Sequence, residues 1–304
     1  RHYNTINREI KRGLVTLRDG HSWKDYTVYK SDVGQRKHRE CSSNKGAPLK
    51  IGNDMDFVRF AEHMILDMKY SPYAVIQAAK GKFRTQVCKA TLYSYIDKGI
   101  FLNVSNKDLP VKRHAHQNAY KPLRRGYNTM RGKSIEERPK PVNDRSSYGH
   151  WEMDTVVGGR GKSPECLLVL TERFRRDELI LKMKDKTCQS VINALDRLEK
   201  IYGLDGFRNR FLSITVDNGS EFLDSTGIER SIHGGSRTSL YYCHPYCSFE
   251  RGSNENANKL IRRFCPKGCD FADYSDKDVQ FLEEWINSYP RQLFGGMSSR
   301  DMPL

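Results

Sequence analysis

The second half of the chain predicts an α/β domain, a mixed five-stranded sheet flanked by helices, and the first half predicts a basic, all-α region ahead of it. Three observations carry this reading. From residue 148 onward, alternating or near-continuous apolar runs recur (HWEMDTVV, ECLLVLTE, ELILKM, FLSITV), the patterning of strands. Between and after them, apolar residues return every three or four positions, the patterning of helices. Before residue 148 only the helical spacing is evident, in short bursts set among Pro, Gly and charge.

Charge separates the same two halves. The 304 residues carry a net charge of +15. Residues 1–150 hold 30 Lys and Arg against 14 Asp and Glu, and the remainder holds 22 against 23. The first half therefore suits a polyanion, and the second is neutral with acids to spare. No apolar run approaches the ~18 residues of a spanning helix and no signal-peptide pattern is present, so a membrane is not expected as a partner. Eight cysteines without a secretion signal read as reduced thiols of a cytoplasmic protein. Cys243/Cys247 and Cys265/Cys269 are spaced C-x3-C, which is less typical of zinc than a spacing of two or four, and read as incidental thiols.

Residues 1–13 read as the end of a helix closed by Gly13, with Arg8, Lys11 and Arg12 as DNA contacts and a further segment expected before Arg1. Residues 14–53, with their KHRE and SSNKG runs, read as a basic linker. Residues 54–103 turn helical. Phe57, Phe60, Ala61, Met64, Ile65 and Met68 form a first stripe, and Ser71-Pro72 opens a second helix that Gly81 breaks. A third short helix carries Lys89, Thr91, Ser94 and Tyr95. This is a helix-turn-helix outline whose last helix would enter a major groove. Residues 104–147 read as a second basic linker lying along DNA, broken by Pro110, Pro122, Pro139 and Pro141 and studded with Lys112, Arg113, Arg124 and Arg125.

Residues 148–304 supply the α/β elements. In the first strand Trp151, Met153 and Thr155 face one way, with Trp151 read as core, and Glu152, Asp154 and Val156 face the other. Two further strands follow through short turns. A helix from Thr187 or Cys188 has Val191, Ile192, Leu195, Leu198 and Ile201 as its stripe and ends at Gly203. Phe211–Val216 is a buried strand running into Asp217-Asn218-Gly219. A segment at 220–230, a strand at 239–243, a helix opening near Glu250 and a final helix over 276–289 complete the chain.

This β-β-β-α-β-α-β-α-α order is that of a ribonuclease-H-like sheet, in which the first and fourth strands are neighbours. Asp154 and Asp217, 63 residues apart in sequence, would then meet, and the helix after Glu250 would bring a third acid over them. Three hard carboxylates at a sheet end suit Mg²⁺ or Mn²⁺, and two such ions ~3.5–4 Å apart activate an attacking oxygen and stabilise a leaving one at a phosphodiester. Glu250 and Glu255 compete for third place. Five positions on one helix put them ~140° apart, so both cannot serve. Glu152 shares a strand face with Asp154 and is a weaker rival. His244, Pro245 and Tyr246 precede the helix, and His244 is placed to orient a phosphate or a water. Asn254, Asn258, Lys259, Arg262 and Arg263 are candidates for holding DNA.

GHWEMDTVVG, TVDNGSEF, HPYCSFERGSNENANKLIRRFCPKG and WINSYPRQLFG resemble the motifs of the DDE transposases of the insertion-sequence-thirty family, and the resemblance covers most of the chain. It implies Asp154, Asp217 and Glu255 as catalytic and metal-binding acids, with two Mg²⁺ or Mn²⁺ ions. It also implies two N-terminal helix-turn-helix units, the first surviving as residues 1–13 and the second as 54–103. The separation of 38 residues between Asp217 and Glu255 is a few longer than the family pattern, and IHGGSR, residues 232–237, is where the extra length falls. The function implied is binding of terminal inverted repeats, followed by metal-dependent cleavage and transfer of 3′ ends into target DNA. The enzyme would work as a dimer or larger assembly on double-stranded DNA in the bacterial cytoplasm, at the nucleoid. A metal nuclease or resolvase of the same fold, and an inactive DNA-binding regulator, are the alternatives.

Overall fold

The computed structural model describes residues 2–43, 49–110, 132–244 and 247–303. They fall into two units, Arg1–Asn53 and Asp54–Leu304. Lys112, Arg113, Arg124 and Arg125, read above as DNA contacts, lie outside the described residues, as do Pro245 and Tyr246.

The first unit corrects the reading of residues 14–53 as a linker. Helix α1 (Tyr3–Gly13) leads into an antiparallel hairpin, β1 (Leu14–Arg18) and β2 (Asp25–Tyr29), and then helix α2 (Ser31–Ser43). Asp19 shapes the turn, accepting from the backbone N–H of His21 and Ser22 at 2.9 and 2.7 Å. Gly13 is required by space: a Cβ there would stand 2.3 Å from the Tyr29 ring. The alternation that marks a strand is only five residues long in each arm and half exposed, so its hydropathy signal drowns in the surrounding charge. Arg8 and Lys11 are exposed on α1, and Arg12 bonds His38 Nδ1 at 2.8 Å.

The second unit opens with three packed helices, α3 (Met55–Leu66), α4 (Pro72–Ala79) and α5 (Lys89–Asp97). Asp54 caps α3 through Phe57 N at 3.0 Å, and Ser71 with Pro72 starts α4. Phe57, Ala61, Ile65, Ala74, Val75, Leu92 and Ile96 form their core. Tyr95, named above as a DNA contact, belongs to that core at 9% exposure, whereas Lys89 is exposed and Thr91 and Ser94 are half-buried. The three helices are docked rather than tethered. Trp285 Nε1 donates to Met68 O at 2.9 Å, Arg263 Nη1 to Lys69 O at 2.9 Å, and Tyr289 OH to Ser71 Oγ at 2.8 Å.

The described part of 104–147 is likewise not a free linker. Val104, Leu109, Ile135 and Val142 are buried, α6 spans Lys140–Asp144, and Lys133 O accepts from Tyr242 N at 2.9 Å. Isolated apolar residues that each fill one pocket have no period, so they leave no trace in a hydropathy pattern.

The sheet comprises β3 (His150–Val157), β4 (Cys166–Glu172), β5 (Glu178–Met183), β6 (Ser213–Val216) and β7 (Ser239–Tyr242), in the order β5-β4-β3-β6-β7. The β5-β4-β3 pairs are antiparallel and the β3-β6-β7 pairs parallel, the ribonuclease-H-like arrangement. One face, with Trp151, Met153, Leu168, Leu170, Ile214 and Val216, packs on helix α7 (Cys188–Arg210) and its neighbour α8 (Ser225–Glu229). The other face meets α9 (Gly252–Ile261) and α10 (Asp276–Asn287). Helix α7 runs past Gly203, where φ of 71° breaks the helical path, and on to Arg210. Ile201, expected in its apolar stripe, is 72% exposed; Phe207 beyond the break fills the core instead.

Candidate active site

Strand register places the two aspartates. β3 and β6 run parallel with Glu152 opposite Thr215, so Asp154 and Asp217, each two residues further on, stand at the same level, Asp154 still within β3 and Asp217 just past the end of β6. Asp217 then turns the chain, its Oδ1 accepting from Gly219 N at 2.9 Å. Asn218 fixes the turn to β7 through a 2.9 Å bond to Cys243 O.

Arg251 joins the two acids, and sequence reasoning did not single it out. Its Nη2 lies 2.7 Å from Asp217 Oδ2 and its Nη1 3.4 Å from Asp154 Oδ1, while Nη1 also donates to Met153 O at 3.1 Å. Its side chain is only 11% exposed. Burial works against the charged guanidinium, but the two carboxylates outweigh it and raise its pKa. A cation therefore stands between Asp154 and Asp217 in the folded protein.

The third-acid rivals separate on geometry. Glu152 is fully buried, ion-paired with Arg173, and accepts from Asn254 N at 3.0 Å, so it pins the start of α9 to β3. Glu250 is not on α9. It sits in a 3₁₀ turn, Ser248–Arg251, and its carboxylate holds His244 through the backbone N–H at 2.9 Å and Nδ1 at 2.8 Å. Glu250 therefore precedes the helix that opens near it. Glu255 is exposed in the first turn of α9 and has no hydrogen-bond or ion-pair partner among the described residues. One turn on, Asn258 Nδ2 donates to Asp154 Oδ2 at 2.8 Å, so the face that carries Glu255 is the face turned toward Asp154.

As the protein stands, the three acids do not gather around one point. Among the described residues no group of three His, Cys, Asp or Glu side chains is close enough to hold a metal ion. Arg251 stands between Asp154 and Asp217, and Asn258 binds Asp154. The donor set is nonetheless all hard oxygen, and a guanidinium already meets its demand for positive charge.

A groove of about 640 Å³ runs from Glu255 and Thr155 past Asn258, Lys259 and Arg262 to Lys69 and Lys267. Lys259 is exposed in it, whereas Arg262 reaches Val157 O at 2.8 Å and Arg263 lies over the Trp285 and Tyr289 rings. Asn254, expected to contact DNA, is instead 1% exposed beneath the helix start. His244, expected to orient a phosphate, is engaged on both nitrogens, with Glu136 Oε1 3.3 Å from Nε2. Hydrogen bonding and charge from Glu250, aided by Glu136, raise its pKa. Cys243 and Cys265 are buried, and burial pushes their thiols up to about 12 and about 11.

A sheet of this order, with two acids on adjacent parallel strands under a crossing helix, is ribonuclease-H-like in arrangement. No family model matches the chain. It is 35% identical over 212 residues to the probable transposase for insertion-like sequence element IS1161 of Streptococcus salivarius, covering 70% of this chain and 57% of that protein. It is 27% identical over 300 residues to the transposase InsI for insertion sequence element IS30C of Escherichia coli K12, covering 95% of this chain and 72% of that one. The chain belongs to the insertion-sequence transposases of the IS30 type, and it spans a little over half of the first relative's length. Among solved structures, a chain of the simian T-cell lymphotropic virus intasome in complex with PP2A regulatory subunit B56 gamma matches at a TM-score of 0.40 and 16% identity, covering 58% of this chain and 60% of that one. No helix among the described residues is long and apolar enough to cross a membrane.

Proposed function

We propose that the protein is a DDE transposase that binds the terminal inverted repeats of its own element, cuts the DNA to free 3′ ends and joins them to target DNA. The observation that carries this is the level placement of Asp154 and Asp217 on adjacent parallel strands, bridged by one buried cation and overlaid by the Glu255 face of α9.

Asp154, Asp217 and Glu255 would hold Mg²⁺ or Mn²⁺, two ions per site. When bound, the metal activates the attacking water or 3′-hydroxyl and neutralises charge at the phosphorus. The chain's own part is positional. Glu152 fixes α9 over β3; Lys259 and the cations around the groove attract the phosphate backbone. Arg251, which pairs with both aspartates, would place a cation beside the strand being cut. Helices α3–α5 form the second helix-turn-helix, with Lys89, Thr91 and Ser94 on its recognition helix. Arg8, Lys11 and Arg12 on α1 of the first unit would add further DNA contacts. With two ends to process together, the enzyme works as a dimer or larger assembly.

The test is joining of a supplied pre-cut end to a target plasmid. Asp154→Asn, Asp217→Asn and Glu255→Gln are each expected to abolish joining, while Glu250→Gln retains it. Joining by all three variants, or loss only in Glu250→Gln, overturns the assignment.

A further inference from the structure

Glu221 follows Asp217 by four residues in DNGSE and is 2% exposed. Its Oε1 is satisfied: Thr155 Oγ1 donates to it at 2.6 Å and Lys186 Nζ lies 3.2 Å away. Its Oε2 is buried and has no hydrogen-bond partner among the described residues. Burying a carboxylate oxygen with nothing to bond it is costly, so the orphan needs a reason.

Gly219 shows where that oxygen points. A Cβ built on Gly219 would lie 2.6 Å from Glu221 Oε2 and 2.8 Å from Asp217 Oδ1. Both oxygens therefore lie beside Gly219 Cα. Gly219 has an ordinary φ of −63°, so glycine is needed here for room and not for backbone freedom. Asp217 is thus flanked on both sides. Its Oδ2 faces Arg251, its Oδ1 accepts from Gly219 N–H, and that oxygen and the free oxygen of Glu221 both lie against Gly219. Through Thr155, Glu221 is also bonded to the residue that follows Asp154. Neighbouring carboxylates repel, and the cations that offset them here each engage one of their oxygens only, Arg251 on Asp217 Oδ2 and Lys186 on Glu221 Oε1.

We propose that Glu221 is a positioning acid of the metal site. Its free oxygen accepts a hydrogen bond from water in the hydration shell of a divalent cation held by Asp217, and so fixes where that ion sits. The proposal rests on the metal-dependent reading above and adds a residue that the strand and helix motifs do not single out.

The test uses the full chain and Mn²⁺ alone, with free ion measured by electron paramagnetic resonance. Glu221→Gln keeps the shape and the acceptor for Thr155 but removes the charge. It is expected to weaken Mn²⁺ binding by roughly tenfold or more, the usual scale for a group that orients a metal's ligands. Lys186→Met removes the lysine competing for the same carboxylate, and is expected to tighten Mn²⁺ by roughly two- to fivefold. A merely structural Glu221–Lys186 pair predicts that both variants behave alike. Wild-type affinity in Glu221→Gln, with binding lost in Asp217→Asn, overturns the proposal while leaving the metal reading intact. Unchanged or weaker binding in Lys186→Met overturns it even where Glu221→Gln fails to fold. Wild-type Mn²⁺ binding in both Asp154→Asn and Asp217→Asn removes the metal reading itself, and this proposal with it.

Discussion

Replacing Arg251 by Gln separates a structural staple from a place-holding cation. At an effective dielectric of ~20, opposite charges ~4 Å apart attract by ~4 kcal/mol, and Arg251 contacts two carboxylates, at 2.7 and 3.4 Å. Asp217 is 43% exposed, so water screens much of its share, and burial of the guanidinium offsets more. Net stabilisation of ~2 kcal/mol remains, in the range of hydrogen bonds to charged groups. At roughly 2–4 °C per kcal/mol for a unit of this size, Arg251→Gln should melt ~4–8 °C below wild type in EDTA. Millimolar Mn²⁺ should then raise the variant's Tm more than the wild type's, because the ion meets two unpaired carboxylates and displaces nothing. Differential scanning calorimetry with and without Mn²⁺ reads both. An equal deficit in EDTA and in Mn²⁺ would refute the idea that guanidinium and metal compete for one place.

Further outcomes follow from the same geometry. Gly219→Ala should cost ~1–3 kcal/mol in denaturant unfolding and weaken Mn²⁺ binding, since its methyl would collide with Asp217 and Glu221. By NMR titration, the raised pKa of His244 should fall back toward 6.5 in Glu250→Gln. Glu178 is wholly buried, and burial raises its carboxyl from 4.5 to about 8 despite Arg291. Its contribution is therefore full below about 4.5 and lost as pH rises toward about 8. Glu178→Gln should flatten the fall in stability across that window, by up to ~1.4 kcal/mol per pH unit. Tyr289→Phe, which loses the bond to Ser71, should cost ~1 kcal/mol and speed hydrogen exchange in α4.

What was legible in the sequence was whatever repeats or aligns. Asp154 and Asp217 could be paired because strand order alone puts β3 beside β6, and a register of two does the rest. Glu255 could be set on a helix face but not on a distance, because the aspartates are engaged by Arg251 and Asn258, and no period announces those two. Glu152 looked like a rival until its partners were seen: Arg173 is 21 residues away, and Asn254 offers a backbone N–H that no side-chain pattern records. Glu221 was hidden by its motif, since DNGSE reads as a turn. The clue was Gly219, a glycine with an ordinary φ, whose meaning appears only when the neighbours of its Cα are known. The hairpin at 14–29 and the pockets filled by Leu109 and Ile135 escaped for want of length.

The clasp of Trp285, Tyr289 and Arg263 on the α3–α4 corner has a mechanical outcome under the proposed function. A sequence reader bolted to the blade cannot slide along its template. The number of base pairs from recognised bases to severed bond would be set like the jaw of a caliper, and a one-residue insertion between Met68 and Ser71 should smear a single cut position into several.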